Sequence, residues 1–234
     1  MRVNRPPYSF EIAGVNALLI RFGDQLNPNL PVYLQALRQH LLTQYGHIVA
    51  QAVPAYTTLL VDYDPRQCRM YDLQQLLERA ITEVDDIAPQ PESQRSIDIP
   101  VVYGGQHGPD LAYVAEQTGL SEEDVIQAHS SAEYLVYALG FAPGFSYLGT
   151  LPAELQLPRR ATPRQQVPAG SVAIAGQQTA VYPQASPGGW HILGYSPIRW
   201  FDPDSEPMTP LQVGDRVRFV AIAENDIAAW KAAH

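Results

Sequence analysis

Three arginines lie close together in a proline-rich part of the chain. Arg159, Arg160 and Arg164 occur in a segment that also contains three prolines. Because proline fixes the backbone, this loop should be stiff and should hold its side chains in place. A guanidinium binds a carboxylate or a phosphate through two parallel hydrogen bonds. We therefore predict that Arg160 and Arg164 bind an anionic ligand. The alternative is that they pair with acidic side chains of this protein and fix the loop, and for Arg159 we favour that alternative.

Three other polar side chains follow these arginines. Ser171 comes after a Val-Pro-Ala-Gly turn at the expected start of a strand, and no base is near it in sequence. We therefore expect hydrogen bonding, to a ligand or to its own turn, rather than nucleophilic attack. Gln178 and Tyr182 are four residues apart, which places both on one face of a strand. Together they suit a cyclic amide or a carboxylate, unless Tyr182 packs inside the domain with its hydroxyl satisfied.

Aromatic residues alternate with glycine and proline between residues 141 and 190. Such a set can line an apolar cleft, form a protein interface or belong to the core. For Phe141 we favour the core. His129, at the end of a predicted helix, is a candidate for the same cleft or interface, or a structural partner of the helix terminus. The other candidates for a cleft or interface are Phe145, Tyr147, Pro187, Gly188, Gly189 and Trp190.

Composition excludes several classes of function. The chain of 234 residues has a formal net charge of -9 and no stretch of five or six like charges, which argues against nucleic-acid binding. It has 46% hydrophobic residues and one cysteine, Cys68, so an intrachain disulfide is impossible. No apolar run has the length of a signal peptide or of a membrane span, and we expect a cytoplasmic protein. We find no phosphate-binding loop, nucleophile elbow or metal-ligand motif, so we predict no metal and assign no catalytic residue.

The first part of the chain predicts a small sheet covered by helices. Apolar strands are expected near residues 9–14 and 16–23 and again at 47–56 and 57–65, with Pro54 marking the turn between the second pair. Apolar residues at helical spacing predict helices at 30–44 and 71–84. This order favours an α+β domain close to ferredoxin-like, at residues 1–90. The polar, proline-containing stretch 88–96 is typical of a linker.

The second part, residues 91–234, has a different pattern. Two short helices are predicted at 109–118 and 121–129, the second with Ser121 as its N-cap. Short apolar strands separated by glycine and proline then follow. This pattern is typical of an antiparallel barrel or sandwich.

Long motifs in this second part carry a resemblance to a known family. They read IPVVYGGQHGPDL (99–111), HSSAEY (129–134), YALGFAPGFSYLGTLP (137–152), PRRATPRQQVPAGSVAIAGQQTAVYP (158–183) and SPGGW (186–190). The sequence resembles the family of B-type 5-oxoprolinase subunits from about Tyr8 to Val220. Relatives of that family include the inhibitor of a sporulation histidine kinase and the carboxyltransferase part of urea carboxylase. Ser146 and Ala175 depart from the family pattern, which usually has proline and glycine there.

The resemblance implies a fold and an activity. It implies a cyclophilin-like β-barrel at 91–234, and one component of an ATP-dependent enzyme that opens 5-oxoproline to glutamate with two partner subunits, of the A and C types. The resemblance also implies that the chain is inactive alone, and it leaves open which component of the complex binds ATP. Arg160 and Arg164 would hold a carboxylate or phosphate, while Ser171, Gln178 and Tyr182 would orient the lactam. The alternatives are an inhibitor of a sensor histidine kinase and a carboxyltransferase-like module.

Overall fold

The computed structural model describes residues 6–87 and 95–233. The chain separates into two compact units, Met1–Gln94 and Arg95–His234. Most of the predicted linker, residues 88–94, lies outside the described residues. Each unit has a core of its own.

The first unit is a four-stranded antiparallel sheet with two helices. Its strands follow the order β1-β2-β4-β3. The elements are β1 (Ser9–Ile12), β2 (Ala17–Arg21), α1 (Leu30–Tyr45), β3 (Val49–Ala55), β4 (Thr58–Tyr63) and α2 (Met70–Ile87). Both helices and all four strands occur where the sequence predicts them, and the α+β class of this unit is confirmed.

A single apolar core joins the helices of this unit to its sheet. Alternate residues of β2 and β4, such as Leu18, Ile20 and Leu59, pack against Leu34 of α1 and Leu77 of α2. This arrangement follows from the period of two in strands and of 3.6 in helices. One detail of the prediction is wrong. Pro54 lies within β3, opposite Leu59, and the turn is formed by Tyr56 and Thr57, with Tyr56 at φ 55°.

The second unit is a closed barrel of seven strands. Neighbours follow the order β6-β13-β5-β12-β9-β10-β7, and β7 closes on β6. The strands are β5 (Ser96–Tyr103), β6 (Glu133–Leu139), β7 (Ser146–Gly149), β9 (Ser171–Ala175), β10 (Gln178–Val181), β12 (His191–Tyr195) and β13 (Arg216–Ala221). The predicted barrel is confirmed, but it is not wholly antiparallel. β13 runs parallel to β5, in register from Arg216 opposite Ser96, because the long connection between these two strands allows a crossover.

Two layers of side chains arise from the strand alternation. Val172 and Ile174 of β9 belong to the large core that also contains residues of every other barrel strand, whereas Ala173 and Ala175 belong to a second cluster on the opposite face. The large core also includes Leu111 of α3 (Leu111–Thr118) and Val125 of α4 (Glu122–Ser131). Short 3-10 turns occupy Ala153–Leu155 and Glu224–Asp226, and α5 spans Ile227–Ala233.

A separate two-stranded sheet lies outside the barrel ladder. It pairs β8 (Arg164–Val167) with β11 (Ser186–Gly188) in antiparallel fashion. Both strands come from the glycine- and proline-rich part of the chain that the sequence marks as ordered loops. Arg164 is therefore the first residue of a strand, which restrains it further than a loop would.

Candidate functional site

A buried carboxylate brings Arg160 and Arg164 together. Nη1 of Arg164 donates to Oδ2 of Asp110 over 2.8 Å, and its Nη2 donates to Oδ1 over 2.7 Å. Nη1 of Arg160 donates to the same Oδ1 over 2.7 Å. The Asp110 side chain is 5% exposed, against 31% and 24% for the two arginines. The expected pairing with an acidic residue is thus present, and it leaves part of each guanidinium facing solvent.

The backbone fixes Asp110 from a third direction. The N–H of Ile192 donates to Oδ2 over 2.7 Å, and the N–H of Asp110 donates back to the Ile192 carbonyl over 3.1 Å. The chain approaches β12 closely just before this point, because Gly108 lies where a Cβ atom would be 2.0 Å from the Leu193 carbonyl oxygen. The Gly-Gly-Gln-His-Gly-Pro-Asp sequence therefore serves to deliver one carboxylate to the two arginines.

Asp110 stays ionised in this setting. Burial alone would raise its pKa, but the hydrogen bonds from Arg164 and from the Ile192 N–H, with the charges of both arginines, lower the pKa overall. Two guanidinium groups and one carboxylate carry a net charge of about +1. The cluster can thus attract an anion while it remains internally paired.

Arg160 retains unused donors. Its Nε is buried and has no hydrogen-bond partner. A guanidinium has five N–H donors, and only Nη1 of Arg160 contacts Asp110. Arg159 is exposed and forms no ion pair with the part of the chain that the structure describes, so the favoured pairing of Arg159 with an acid is wrong.

Tyr182 lies near these arginines and is largely buried. Burial raises its pKa, while the charges of Arg159 and Arg164 and a hydrogen bond with the backbone of Trp190 act in the opposite direction. The hydroxyl of Tyr182 therefore has a hydrogen-bond partner, which is one of the two alternatives predicted from the sequence. Tyr182 belongs to the same apolar cluster as Ala173 and Ala175, on the opposite face of β9 from the large core.

Ser171 and Gln178 occupy neighbouring strands of the barrel. Ser171 is buried at the start of β9, where its carbonyl accepts from the Tyr182 N–H over 2.9 Å. Gln178 is partly exposed at the start of β10, opposite Ala175. Gln178, Ala180 and Tyr182 alternate with Thr179 and Val181 along the chain, as expected for one strand face. The two ends of this face are separated by the length of β10, so Gln178 and Tyr182 do not form one compact pair.

Aromatic rings of the predicted cleft form one cluster, here called the outer aromatic cluster: Phe145, Tyr147, Tyr182 and Trp190. The ring of Phe145 contacts each of the others, with centroids 4.9 Å from Tyr147, 5.5 Å from Tyr182 and 5.9 Å from Trp190. Phe145 and Trp190 are buried, and Tyr147 is partly exposed. The cluster is therefore a packed wall rather than an open cleft.

Phe141 corrects the prediction that favoured the core. It is 66% exposed and has a φ of 74°. The chain reverses here, since the N–H of Gly140 donates to the Phe145 carbonyl and the N–H of Phe145 to the Ala142 carbonyl. This tight turn projects the Phe141 side chain outward.

The Ser-Pro-Gly-Gly-Trp segment, residues 186–190, packs closely against Tyr182. A Cβ atom on Gly188 would lie 2.3 Å from the Tyr182 hydroxyl oxygen, whereas one on Gly189 would approach nothing closer than 3.7 Å. The carbonyl of Gly189 accepts from the N–H of Arg160 over 2.8 Å. Pro187 is exposed on β11. This segment thus ties the arginine loop to the outer aromatic cluster.

His129 does not line a cleft. It is fully buried, with Nδ1 2.7 Å from the Tyr103 hydroxyl and Nε2 2.9 Å from the Thr179 hydroxyl, and its ring stacks on Phe219. Burial lowers its pKa to about 3. The prediction of a cleft position is wrong because the end of α4 inserts this ring into the large core.

Two residues near the arginines were not singled out from the sequence. Asp110 lies 50 residues before Arg160, and only its position after the Gly-Gly-Gln-His-Gly-Pro run could have drawn attention to it. The other is His191, which is buried, with its Nε2 2.9 Å from the Pro158 carbonyl oxygen and its ring stacked on Tyr113. With that carbonyl as acceptor, Nε2 carries the proton, and the buried Nδ1 has no partner.

Metal-ligand clusters and membrane-spanning helices are both absent from the described residues. Among residues 6–87 and 95–233, no group of three or more His, Cys, Asp or Glu side chains is arranged to hold a metal ion. Within the same ranges, no helix has both the length and the apolar character needed to cross a membrane.

Comparison with known proteins identifies relatives over most of the chain. A family model described as "Carboxyltransferase domain, subdomain C and D" matches residues 8–211. A protein of Bacillus subtilis (strain 168), named as the B-type subunit of 5-oxoprolinase, is 40% identical over 237 residues, which covers 96% of this chain and 97% of that protein. The protein of the same name from Escherichia coli O157:H7 is 50% identical over 172 residues, or 74% and 78% of the two chains.

A solved structure agrees with these relatives. The crystal structure of TTHA0988 in space group P212121 superposes with a TM-score of 0.77 at 40% identity. The match covers 88% of this chain but 40% of that one, so this chain spans less than half the length of TTHA0988.

Proposed function

The chain belongs to the family of the carboxyltransferase domain, subdomains C and D, and within it to the B-type 5-oxoprolinase subunits, and we propose that it acts as one component of a 5-oxoprolinase complex. The enzyme would open the ring of 5-oxo-L-proline to give L-glutamate, with hydrolysis of ATP. The chemistry requires that the lactam oxygen be activated, and phosphorylation by ATP achieves this before water cleaves the C–N bond. The products are glutamate, ADP and phosphate.

The observation that carries a site assignment is the pair of arginines on Asp110. Two guanidinium groups are fixed on one buried carboxylate, keep a net positive charge and remain partly exposed, and Arg160 contacts Asp110 through Nη1 alone, which leaves the N–H donors of its Nη2. A substrate carboxylate or a phosphorylated intermediate would bind to these remaining donors. Asp110 would act as a positioning residue that sets the orientation of both arginines.

The roles of the other polar residues follow from their contacts. The hydroxyl of Tyr182 is engaged with the backbone of Trp190, so its contribution would be to fix the outer aromatic cluster beside the arginines. Ser171 and Gln178 remain candidates for hydrogen bonds to the lactam. No residue of the chain is assigned as a nucleophile or as a general base.

The complex would contain two further subunits, of the A and C types, and the isolated chain would be inactive. ATP would be used by the complex, without a metal held by this chain. The two curated relatives described above are named for 5-oxoprolinase, so inhibition of a sensor histidine kinase is not favoured. The cytoplasmic location expected from the sequence stays a prediction.

We further propose a ferredoxin-like relationship for residues 1–90 and a cyclophilin-like one for the barrel at 91–234. The strand order of the first unit supports the former, since β2 and β3 flank β4 in an antiparallel sheet with α1 and α2 as connections. The edge position beside β2 is occupied by β1, which precedes it in the chain.

The test is release of glutamate from 5-oxoproline by this protein mixed with its two candidate partner subunits and ATP, each component being omitted in turn. Activity that needs all components supports the proposal, and no activity in a correctly assembled mixture contradicts it. Arg160→Lys and Arg164→Lys test the site, because lysine keeps the charge but loses the planar fork. The matched control is Arg218→Lys, whose arginine pairs with Asp98 at the surface of the barrel.

A further inference from the structure

A groove in the first unit has no part in the site described above. It has a volume of about 560 Å³ and lies between the end of α1, the loop from β4 to α2, and one face of α2. Its walls include Tyr45, Arg66, Arg69, Asp72 and Arg79. The volume is within the range of about 300 to 1,000 Å³ that is usual for small-molecule sites.

The charge of this groove is opposite to that of the whole protein. Three arginines and one aspartate line it, whereas the chain carries a formal net charge of -9. Cys68, also in the wall, adds no charge at neutral pH, because burial and the nearby Asp72 raise its pKa. A local excess of positive charge in an acidic protein concentrates anions at that place.

One arginine is held in position by its own loop. Nε and Nη2 of Arg66 donate to the two carboxylate oxygens of Asp64 over 2.9 and 2.8 Å, and the backbone N–H of Arg66 donates to Oδ1 over 3.0 Å. Arg66 is therefore largely neutralised by Asp64. It is thus not the main attraction for a ligand.

The other two arginines are available. Arg69 and Arg79 are exposed, and neither forms an ion pair with any residue in the described ranges. The carbonyl of Arg69 accepts from the Leu73 N–H over 2.9 Å, which places Arg69 at the very start of α2. Arg79 is ten residues further along, so with a rise of about 1.5 Å per residue the two Cα atoms are roughly 15 Å apart.

This separation selects the type of ligand. Both side chains are long and border one groove, so they converge on a ligand from two ends. A single carboxylate is too small to satisfy both, whereas a chain of phosphate groups presents several acceptors over that distance. Tyr45 borders the same groove and offers an aromatic surface.

We propose that this groove binds a small molecule with two or more linked phosphate groups, held by Arg69 and Arg79. The source is either a free oligophosphate or the phosphate chain of a nucleotide, since the arginines recognise the same chemistry in both. The proposal does not depend on the function proposed for the barrel.

The test is calorimetric titration of the full-length protein with tripolyphosphate and, separately, with ATP, at 50 mM and 300 mM NaCl. We expect binding of at least one of them to weaken about tenfold or more in the Arg69→Gln/Arg79→Gln double variant and to weaken with salt. Equal binding of the two probes identifies the phosphate chain as the recognised part, and tighter binding of ATP adds a contact to its nucleoside.

The control is Arg21→Gln, which removes a partly exposed arginine of the same unit that pairs with Glu11. It should bind both probes as the unchanged protein does. Circular dichroism and thermal unfolding check that the double variant is folded. The proposal is overturned if neither probe binds at millimolar concentration, or if the folded double variant binds them as tightly as the control.

Discussion

Arg164 holds Asp110 by two parallel hydrogen bonds, from Nη1 to Oδ2 over 2.8 Å and from Nη2 to Oδ1 over 2.7 Å. Arg160 reaches the same carboxylate from the preceding loop. Neither arginine could be placed by its own backbone alone, since Arg160 lies in an irregular loop and Arg164 begins a short strand. The carboxylate therefore organises the cluster.

Removal of the charge of Asp110 should destabilise the protein. In Asp110→Asn the two arginines would face each other without a counter-charge, and we expect a loss of about 2 kcal/mol in the free energy of unfolding. The cost should remain below that of a fully buried pair, because the guanidiniums are partly exposed. Urea unfolding at pH 7 measures it. Asp98→Asn, at an exposed pair with Arg218, should cost less than about 1 kcal/mol, and an equal loss in both variants would contradict the argument.

The same substitution has a pH dependence of known sign. Because the pKa of Asp110 is lowered in the folded protein, its contribution is fully present above the unfolded pKa of about 4. It is lost as the pH falls through the lower folded value. The difference in unfolding free energy between the unchanged protein and Asp110→Asn should therefore be constant from about pH 5 to 8 and shrink below about pH 4. A difference that grows toward low pH would refute this assignment.

The sequence predicts the helices and strands that have a clear pattern of apolar residues better than it predicts the site. α1 and α2 follow from leucines at three- and four-residue spacing, and β6, β9, β10 and β13 from short apolar runs. In contrast, β7, β8 and β11 contain serine, glycine, arginine or proline, so their local pattern does not differ from that of a loop. These strands form only because their neighbours supply hydrogen-bond partners.

In the candidate site, too, residue type is predictive, whereas contacts between distant parts of the chain are not. Residue type predicts that Arg160 and Arg164 bind an anion, but it does not predict their observed partner Asp110, which is 50 and 54 residues away in sequence. No local pattern connects them, since β12 brings them together. Likewise, nothing around His129 distinguishes a ring inserted into a core from one at a cleft, because that outcome depends on where α4 ends relative to β10 and β13.

Buried His129 should make the protein sensitive to acid. Its pKa is about 3 in the folded protein against about 6.5 when unfolded, so the neutral ring contributes stability that is fully present above about pH 6.5. This stability is lost as the pH falls from about 6.5 toward 3, by up to about 1.4 kcal/mol per pH unit. The hydroxyl of Thr179 donates to the Ala173 carbonyl, so it accepts from Nε2–H, and Nδ1 accepts from Tyr103.

The measurement is unfolding free energy as a function of pH for the unchanged protein and for His129→Gln. The variant should be less stable at pH 7 by about 2 kcal/mol, from lost packing and hydrogen bonds, and should have a shallower slope between about pH 6 and 4. His47→Gln, at an exposed position, should keep the original slope. Parallel curves for all three proteins would exclude His129 as the source of acid sensitivity.

Loss of the N-cap of α4 should destabilise the protein less than substitution of His129. The Ser121 hydroxyl accepts from the Asp124 N–H over 3.1 Å, and the Asp124 side chain accepts from the Ser121 N–H, which confirms the predicted cap. Ser121→Ala should cost about 1 kcal/mol. Because α4 also positions His129, the loss should appear in global unfolding measured by urea. Ser131→Ala, at the exposed last residue of the same helix, is the control. A similar loss of unfolding free energy in that variant would show that the capping hydrogen bond does not specifically stabilise α4.

Two adjacent glycines should respond very differently to the same change. A methyl group on Gly188 would lie 2.3 Å from the hydroxyl oxygen and 2.9 Å from Cζ of Tyr182, whose ring is buried, whereas on Gly189 its nearest neighbour would be 3.7 Å away. Gly188→Ala should therefore cost about 1 to 3 kcal/mol through overpacking, and Gly189→Ala less than about 1 kcal/mol. Thermal unfolding compares the two variants directly.

Displacement of Tyr182 would also disturb Trp190 and the arginine loop, so Gly188→Ala should lose oxoprolinase activity in the assembled complex while Gly189→Ala retains it. Equal stability of the two variants would mean that the 186–190 segment shifts freely, and the outer aromatic cluster would then not be the rigid support for Arg160 that its contacts indicate.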